Sequence, residues 1–319
     1  MYVFRTADGR EVDYVEVGDP GGQPVVHLHG TPGTAGSVAL LEDAARRNDV
    51  RLLAVSRPGY GRSTTTPPGL VSVARDVGEL ASGLGVEEFA VLGVSGGGPF
   101  ALATAAAMPA RVRLVLIAAG PGPVHLLAPQ HLEPDDVHAL ELLAAGDVDG
   151  AVALVTAEAR RDFDALRKVP DDEFEEVLSG MAPPSEHYFD TRPDERAVFV
   201  ADFRRGIERY DGFVRDNLSW LGPWDFDLAD VVAPVLLCYG DADAMVPGPT
   251  ASGSPNGFRG RPSRSSPMPA TVTSASDWAS TCSRPWTGPP DARKFSVASG
   301  RGGLGPSQTT KLPEPTASS

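Results

Sequence analysis

The eleven residues Phe89–Pro99, F-A-V-L-G-V-S-G-G-G-P, constrain this chain more than any other stretch. Phe89 to Val94 is a short apolar run with the length and bounds of a buried strand. Small residues follow at once, and Phe100 to Met108 is rich in helix formers. Gly93-Val94-Ser95-Gly96-Gly97 therefore falls where a strand must turn sharply into a helix. Glycines two before and two after the serine avoid the collisions a Cβ would make at such a turn, and the Ser95 hydroxyl is pushed out at its crest. The pentapeptide alone is a weak signal in a glycine-rich chain, and its alternative is a serine in an ordinary strand–helix loop. The strand–turn–helix setting gives it weight.

The surrounding segments repeat one pattern. Tyr2–Arg5 and Val12–Val17, joined through Ala-Asp-Gly, read as a hairpin. Pro24–Leu28 and Leu52–Val55 are buried-type strands, ended by His29-Gly30-Thr31-Pro32-Gly33 and by Ser56-Arg57-Pro58-Gly59-Tyr60-Gly61-Arg62-Ser63. A helix is expected near Ser37–Arg47. Val73, Val77, Leu80, Ala81 and Leu84 keep helical spacing on one face, and Val112–Ala118 is a further strand. Apolar strands alternating with helices predict an α/β fold: a mostly parallel sheet flanked by helices on both faces. From about Gly122 to Asp230 helical periodicity takes over, through Asp136–Ala145, Ala151–Arg167, Asp172–Leu178 and Glu195–Tyr210. Ala233–Tyr239 then restores a strand, ended by Gly240-Asp241-Ala242-Asp243.

After Pro247 the composition breaks. More than half of residues 248–319 are Gly, Pro, Ser or Thr, and no apolar period persists. This stretch holds eight basic and three acidic residues, a net of +5 against −19 for residues 1–247. Such a segment buries too little apolar surface to offset its ordering entropy, so it is expected to be disordered.

Composition excludes several function classes. A net charge of −14 argues against nucleic acid or an anionic membrane surface as partner. No signal-peptide core opens the chain, and the longest apolar stretch is broken by Pro109, Arg111 and Arg113, so a cytoplasmic protein is expected. Cys238 and Cys282 lie far apart, without histidines at metal spacing, which speaks against a disulfide framework and a zinc site.

The four loop motifs, each at the C-terminal end of an expected strand, occur in the order and spacing of the α/β-hydrolase family. Over residues 1 to about 247 the chain resembles its serine-nucleophile members, such as esterases, lactonases, carbon–carbon bond hydrolases, haloperoxidase-like and proline-iminopeptidase-like proteins. The resemblance implies a core at 1–121 and 226–247, a helical cap at 122–225, and a low-complexity tail at 248–319. It implies Ser95 as nucleophile, attacking a small ester, lactone, thioester or amide with no metal or organic cofactor. The oxyanion would be met by the N–H groups of Gly96 and Thr31. Matching through G-x-x-D favours Asp243 as the acid of the triad, with Asp241 a solvated loop residue. His29 is expected to support its loop, His27 to lie in the core with its nitrogens satisfied, and Arg57 and Arg62 to hold loop structure. Trp220, Trp224, Phe199 and Phe203 could line a pocket under the cap or pack in the core.

The base is the difficulty. The family places its histidine some 25–30 residues past the acid, yet the six histidines here are His27, His29, His125, His131, His138 and His187. His187 could swing over the site, but nothing orients it. A shifted reading frame after Pro247 would account for this, the alternative being a natural flexible tail. Written in GC-rich codons and started one base before Met268, the segment Pro267–Thr273 spells Asp-Ala-Gly-His-Gly-Asp, which looks like the family's histidine loop. The rival readings are a non-catalytic binding protein of the same fold and a cofactor-free haloperoxidase-like activity.

Overall fold

Among the described residues seven strands, numbered along the chain, form one sheet in the order β1-β2-β4-β3-β5-β6-β7, and the loops His29–Gly33, Ser56–Ser63 and Ser95–Gly97 lie along one edge of strand ends. They are β1 (Tyr2–Arg5), β2 (Glu11–Gly18), β3 (Gln23–Leu28), β4 (Val50–Val55), β5 (Phe89–Val94), β6 (Val112–Ala118) and β7 (Val235–Cys238). The computed structural model describes residues 1–126, 132–181 and 192–239, with the side chains of 178–181 left aside. β1 and β2 are the expected hairpin, and β2 runs antiparallel to β4. From β4 through β3, β5 and β6 to β7 every pairing is parallel. Asp241, Asp243, His131, His187 and the tail at 248–319 lie outside the described residues.

Alternate side chains of the central strands feed two cores, as a sheet covered on both faces requires. On one face Val26, Leu28, Leu53, Val55, Val91, Val115 and Ile117 pack beneath α2 (Leu70–Gly83) and α3 (Gly98–Ala107). The predicted stripe of α2 is buried at Val73, Val77, Leu80 and Ala81, and Leu84 packs against the same core just past the helix end. On the other face Val25, Leu52, Ala54, Leu92 and Leu116 meet Ala35, Val38 and Ala45. The helix expected at Ser37–Arg47 is split here into a 3-10 turn, Ala35–Leu41, and α1 (Glu42–Arg47). Thr34 caps the 3-10 turn by accepting from the Gly36 N–H.

After β6 the chain builds its helical layer: α4 (Pro134–Ala144), α5 (Val148–Phe163), α6 (Asp171–Met181), α7 (Pro193–Gly206) and α8 (Asp211–Leu221). The helix expected over Glu195–Tyr210 stops at Gly206, and α8 is an additional element. Two small cores hold this layer. Ala139, Ala151, Val155, Val214 and Leu218 join α4, α5 and α8, while Ala159, Phe163, Phe174 and Ile207 join α5 to α6 and the end of α7. Trp220 packs against both the first of these and the main sheet core, and Trp224 also lies on the main core. Phe203 packs edge-on to Phe163 at 6.3 Å between centroids, whereas Phe199 is 37% exposed.

His27 departs from expectation. Its ring is 3% exposed on β3, but among the described residues Nδ1 has no hydrogen-bond partner. Burial, reinforced by the nearby Arg57 charge, lowers its pKa to about 4. In the unfolded chain the same ring takes up its proton near its ordinary pKa of 6.5. The neutral ring therefore costs nothing above that pH, and stability is lost progressively as pH falls from there towards 4. Replacing His27 by Leu is expected to shrink the stability loss between pH 7.5 and 4.5 by about 2–3 kcal/mol, read from urea unfolding of both proteins at each pH.

Candidate active site

β5 ends at Val94, a 3-10 turn spans Ser95–Gly97, and α3 begins at Gly98, so strand passes into helix within three residues. Ser95 bears the backbone strain of that turn, with φ at 49°, in a region that residues with a Cβ seldom occupy. Such a conformation costs about 1–3 kcal/mol and persists only where its surroundings enforce it. The flanking glycines show the enforcement. A Cβ on Gly93 would lie 2.6 Å from the Gly97 carbonyl oxygen and 2.9 Å from Ala101 Cβ. One on Gly97 would strike the Leu28 carbonyl and lie 2.7 Å from that of His29. Ser95 is half-buried, between the elbow and the loop that follows β3. A second strained residue, Ala119 (φ 50°), directly follows β6, and its neighbour Gly120 accepts from the Tyr239 hydroxyl at 2.8 Å.

The loop after β3 lies against the elbow. A Cβ placed on Gly96 would overlap the Thr31 side chain and sit 3.5 Å from the Thr31 nitrogen, and one on Gly30 would sit 3.6 Å from Ser95 Cβ. Ser95, Gly96 and Thr31 are thus brought together. Among the described residues the Thr31 N–H has no backbone acceptor. The loop is held from beneath by Arg57, which is wholly buried. Its guanidinium donates to the carbonyls of His29 and of Gly30 (3.2 Å), to Thr31 Oγ1 (2.9 Å), and to Asp216 Oδ2 through Nε (2.9 Å) and NH2 (2.6 Å). Thr31 Oγ1 in turn donates to the same Asp216 oxygen at 2.9 Å. Asp216 stands on α8, 185 residues from Thr31. Its other oxygen lies 3.8 Å from Arg215, whose guanidinium burial pulls below its ordinary pKa. Tyr60 closes the cluster, with its phenol pushed well above the usual value by burial and by the adjoining Asp216 carboxylate.

His29 serves the loop. The Arg57 N–H donates to its Nε2 at 3.1 Å, which leaves the proton on Nδ1 to be donated to the Gly30 carbonyl at 2.7 Å. Burial, with the Arg57 charge beside it, keeps this ring neutral and its pKa well below the ordinary value. Arg62, by contrast, reaches outward to the buried carboxylate of Asp13 at 2.9 Å. A second carboxylate of the helical layer grips the far end of the same loop. Asp202 on α7 accepts from the Thr34 N–H at 3.0 Å and from its hydroxyl, and Gly206 leaves room for Gly33. Burial raises the Asp202 pKa, against the opposing hydrogen bonds from Thr34. Among the described residues no cluster of three or more His, Cys, Asp or Glu is placed to hold a metal. An open groove of about 720 Å³ bordered by Phe4, Arg75, Met108 and Arg111 contains none of these residues.

The model for the alpha/beta hydrolase fold matches residues 23–263. The chain belongs to the α/β-hydrolase family. Solved structures agree on the fold. A bromoperoxidase from Bacillus anthracis is 20% identical, with 75% of this chain and 80% of that one covered and a TM-score of 0.54. An esterase from Exiguobacterium antarcticum is 18% identical over 77% and 82% of the two chains, with a TM-score of 0.53. An alpha/beta hydrolase fold protein from Nakamurella multipartita is 24% identical over 79% and 84%, with a TM-score of 0.50. No curated protein matches.

Within this α/β-hydrolase the fold brings together Ser95, Gly96 and Thr31, which the sequence singles out, with Asp216, Asp202 and Tyr60, which it does not. Asp216 lies in a helix that was not anticipated, and no sequence signal pairs it with Arg57 over 159 residues. Among the described residues no helix is long and apolar enough to cross a membrane. The elbow yields a sharp expectation. Gly97→Ala should cost more than about 3 kcal/mol, or abolish folding, because the added methyl meets backbone that cannot retreat. Gly21→Ala should stay within about 0.5 kcal/mol of wild type, because its Cβ has only Asp19 Oδ1 at 3.6 Å. Urea midpoints of the two variants test the contrast.

Proposed function

We propose that this α/β-hydrolase is a serine hydrolase that cleaves a small ester, lactone, thioester or amide through an acyl-enzyme on Ser95. The observation that carries the reading is a strained serine at φ 49° set beside the backbone of Gly96 and Thr31. Ser95 Oγ adds to the substrate carbonyl carbon, and the carbonyl electron pair moves onto oxygen, where the Gly96 and Thr31 N–H groups receive it. Preorganised donors of this kind are worth about 3–4 kcal/mol of barrier each. In a complete triad the hydroxyl proton passes to a histidine base and then to the departing alcohol, thiol or amine as the tetrahedral adduct collapses. Water repeats the sequence on the acyl-enzyme, releasing the acid and restoring Ser95. Asp243 is the residue that would orient that base. The helical cap, 122–225, covers a core of 1–121 and 226–247, and the substrate is a small molecule met in the cytoplasm.

The base is written out of this chain. No histidine follows His187, and we read residues 248–319 as translated in a shifted frame. What remains is an oxyanion site without a proton acceptor, whose residual acceleration over water is about 10³–10⁴-fold. Slow turnover of p-nitrophenyl acetate, lost on Ser95→Ala, is the expected result. Turnover that survives this substitution removes the nucleophile assignment, and halide-dependent peroxidation in its place would point to the haloperoxidase-like rival. Nucleotide sequence past the Pro247 codon tests the frame: an alternative frame with neither an apolar helix nor a histidine loop refutes it.

A further inference from the structure

Resting on that reading of Ser95, Gly96 and Thr31, we propose that Asp216 is a positioning residue, through which α8 sets the oxyanion donor on the opposite loop. Three elements converge on one oxygen. Asp216 Oδ2 accepts from Arg57 Nε, from Arg57 NH2 and from Thr31 Oγ1, all within 2.9 Å. Thr31 Oγ1 also accepts from Arg57 NH2 at 2.9 Å, so the hydroxyl is donor and acceptor at once. A β-branched side chain pinned at both functions of its hydroxyl has a single rotamer, and its peptide plane follows. The Thr31 N–H, which has no backbone acceptor among the described residues, is thereby held beside Gly96.

The anchor is itself immobilised. Asp216 and Arg57 side chains are both 0% exposed. The neighbouring Arg215 donates to Thr66 Oγ1 (2.9 Å), Gly69 O (2.8 Å) and Ser72 Oγ (2.5 Å), and the Gly69 N–H donates to Ser219 Oγ at 2.9 Å. These contacts tie α8 to the start of α2, a part of the sheet scaffold. A chain without its base relies on oxyanion geometry for what catalysis it retains, so loosening Thr31 is felt in turnover.

The test compares Asp216→Asn, Thr31→Val and Thr31→Ser with Asp225→Asn, all in the full chain. Asp225 is a control carboxylate that accepts from the Leu70 and Val71 N–H groups at the head of α2. Asp216→Asn and Thr31→Val are expected to lower kcat on p-nitrophenyl acetate about 10–100-fold, with KM within about two-fold, and Thr31→Ser to restore it. The ¹⁵N order parameter of the Thr31 amide should fall from about 0.85 to below about 0.6 in the first two. Asp225→Asn should lower Tm and move neither readout. If Asp216→Asn does not fold, Thr31→Val decides, because it leaves the Arg57–Asp216 pair in place. An unchanged order parameter in Thr31→Val, or a kcat loss no larger than that of Asp225→Asn at matched stability, overturns the proposal. If Ser95→Ala leaves turnover intact, the hydrolase reading falls on its own, and the order parameter alone decides whether α8 positions Thr31.

Discussion

The site hangs on one buried ion pair, Arg57 with Asp216, each side chain wholly shielded from water. Desolvating two charges costs several kcal/mol per ion, and their attraction offsets this only when the remaining donors and acceptors are also met. Those of Arg57 are met, while Asp216 Oδ1 has only the Arg215 guanidinium at 3.8 Å among the described residues. Arg57 spends its donors on two loop carbonyls, a threonine hydroxyl and the carboxylate, and its planar face lies over the Phe100 ring at 4.9 Å. An isolated pair of this kind is poor evidence for stability. Its return is uniqueness: Arg57 fits only if the chain after β3, the chain after β4 and α8 take one arrangement.

The sheet supplies the rigidity this arrangement needs. β3 and β5 are adjacent and parallel, with Leu28 opposite Gly93, so the loop after one and the elbow after the other leave the sheet side by side. Their closeness is a matter of backbone packing, since carbonyls of Leu28 and His29 occupy the space where a Gly97 side chain would go. The strain at Ser95 is therefore imposed by the same contacts that bring the Thr31 loop within reach. Two histidines lie in or beside this scaffold, and both are neutral parts of it: His27 buried in the sheet and His29 locked between the Arg57 N–H and the Gly30 carbonyl.

What was legible in the sequence followed from periodicity and from glycine. The alternation of apolar strands and helices gave the sheet, the α2 stripe was buried as spaced, and the elbow was visible in five residues. What escaped were elements whose polar residues point inward. In α8 the buried set includes Arg215, Asp216 and Ser219 as well as Val214 and Leu218, so its inner face reads as polar until its partners are known. The single helix expected near Ser37–Arg47 is a 3-10 turn and a short α-helix, which apolar spacing alone does not separate over so short a run. Asp202 and Asp216 are ordinary surface-type residues in sequence, and only the fold joins them to Thr34 and Thr31.

The two grips on the loop after β3, Asp216 on its near end and Asp202 with Gly206 on its far end, limit how such a protein can diversify. Exchanging the helical insertion for that of a relative would also remove both handles on the loop beside the elbow. A transplanted insertion would have to bring a carboxylate to each place, so the helical layer and the loop it grips are not separable modules.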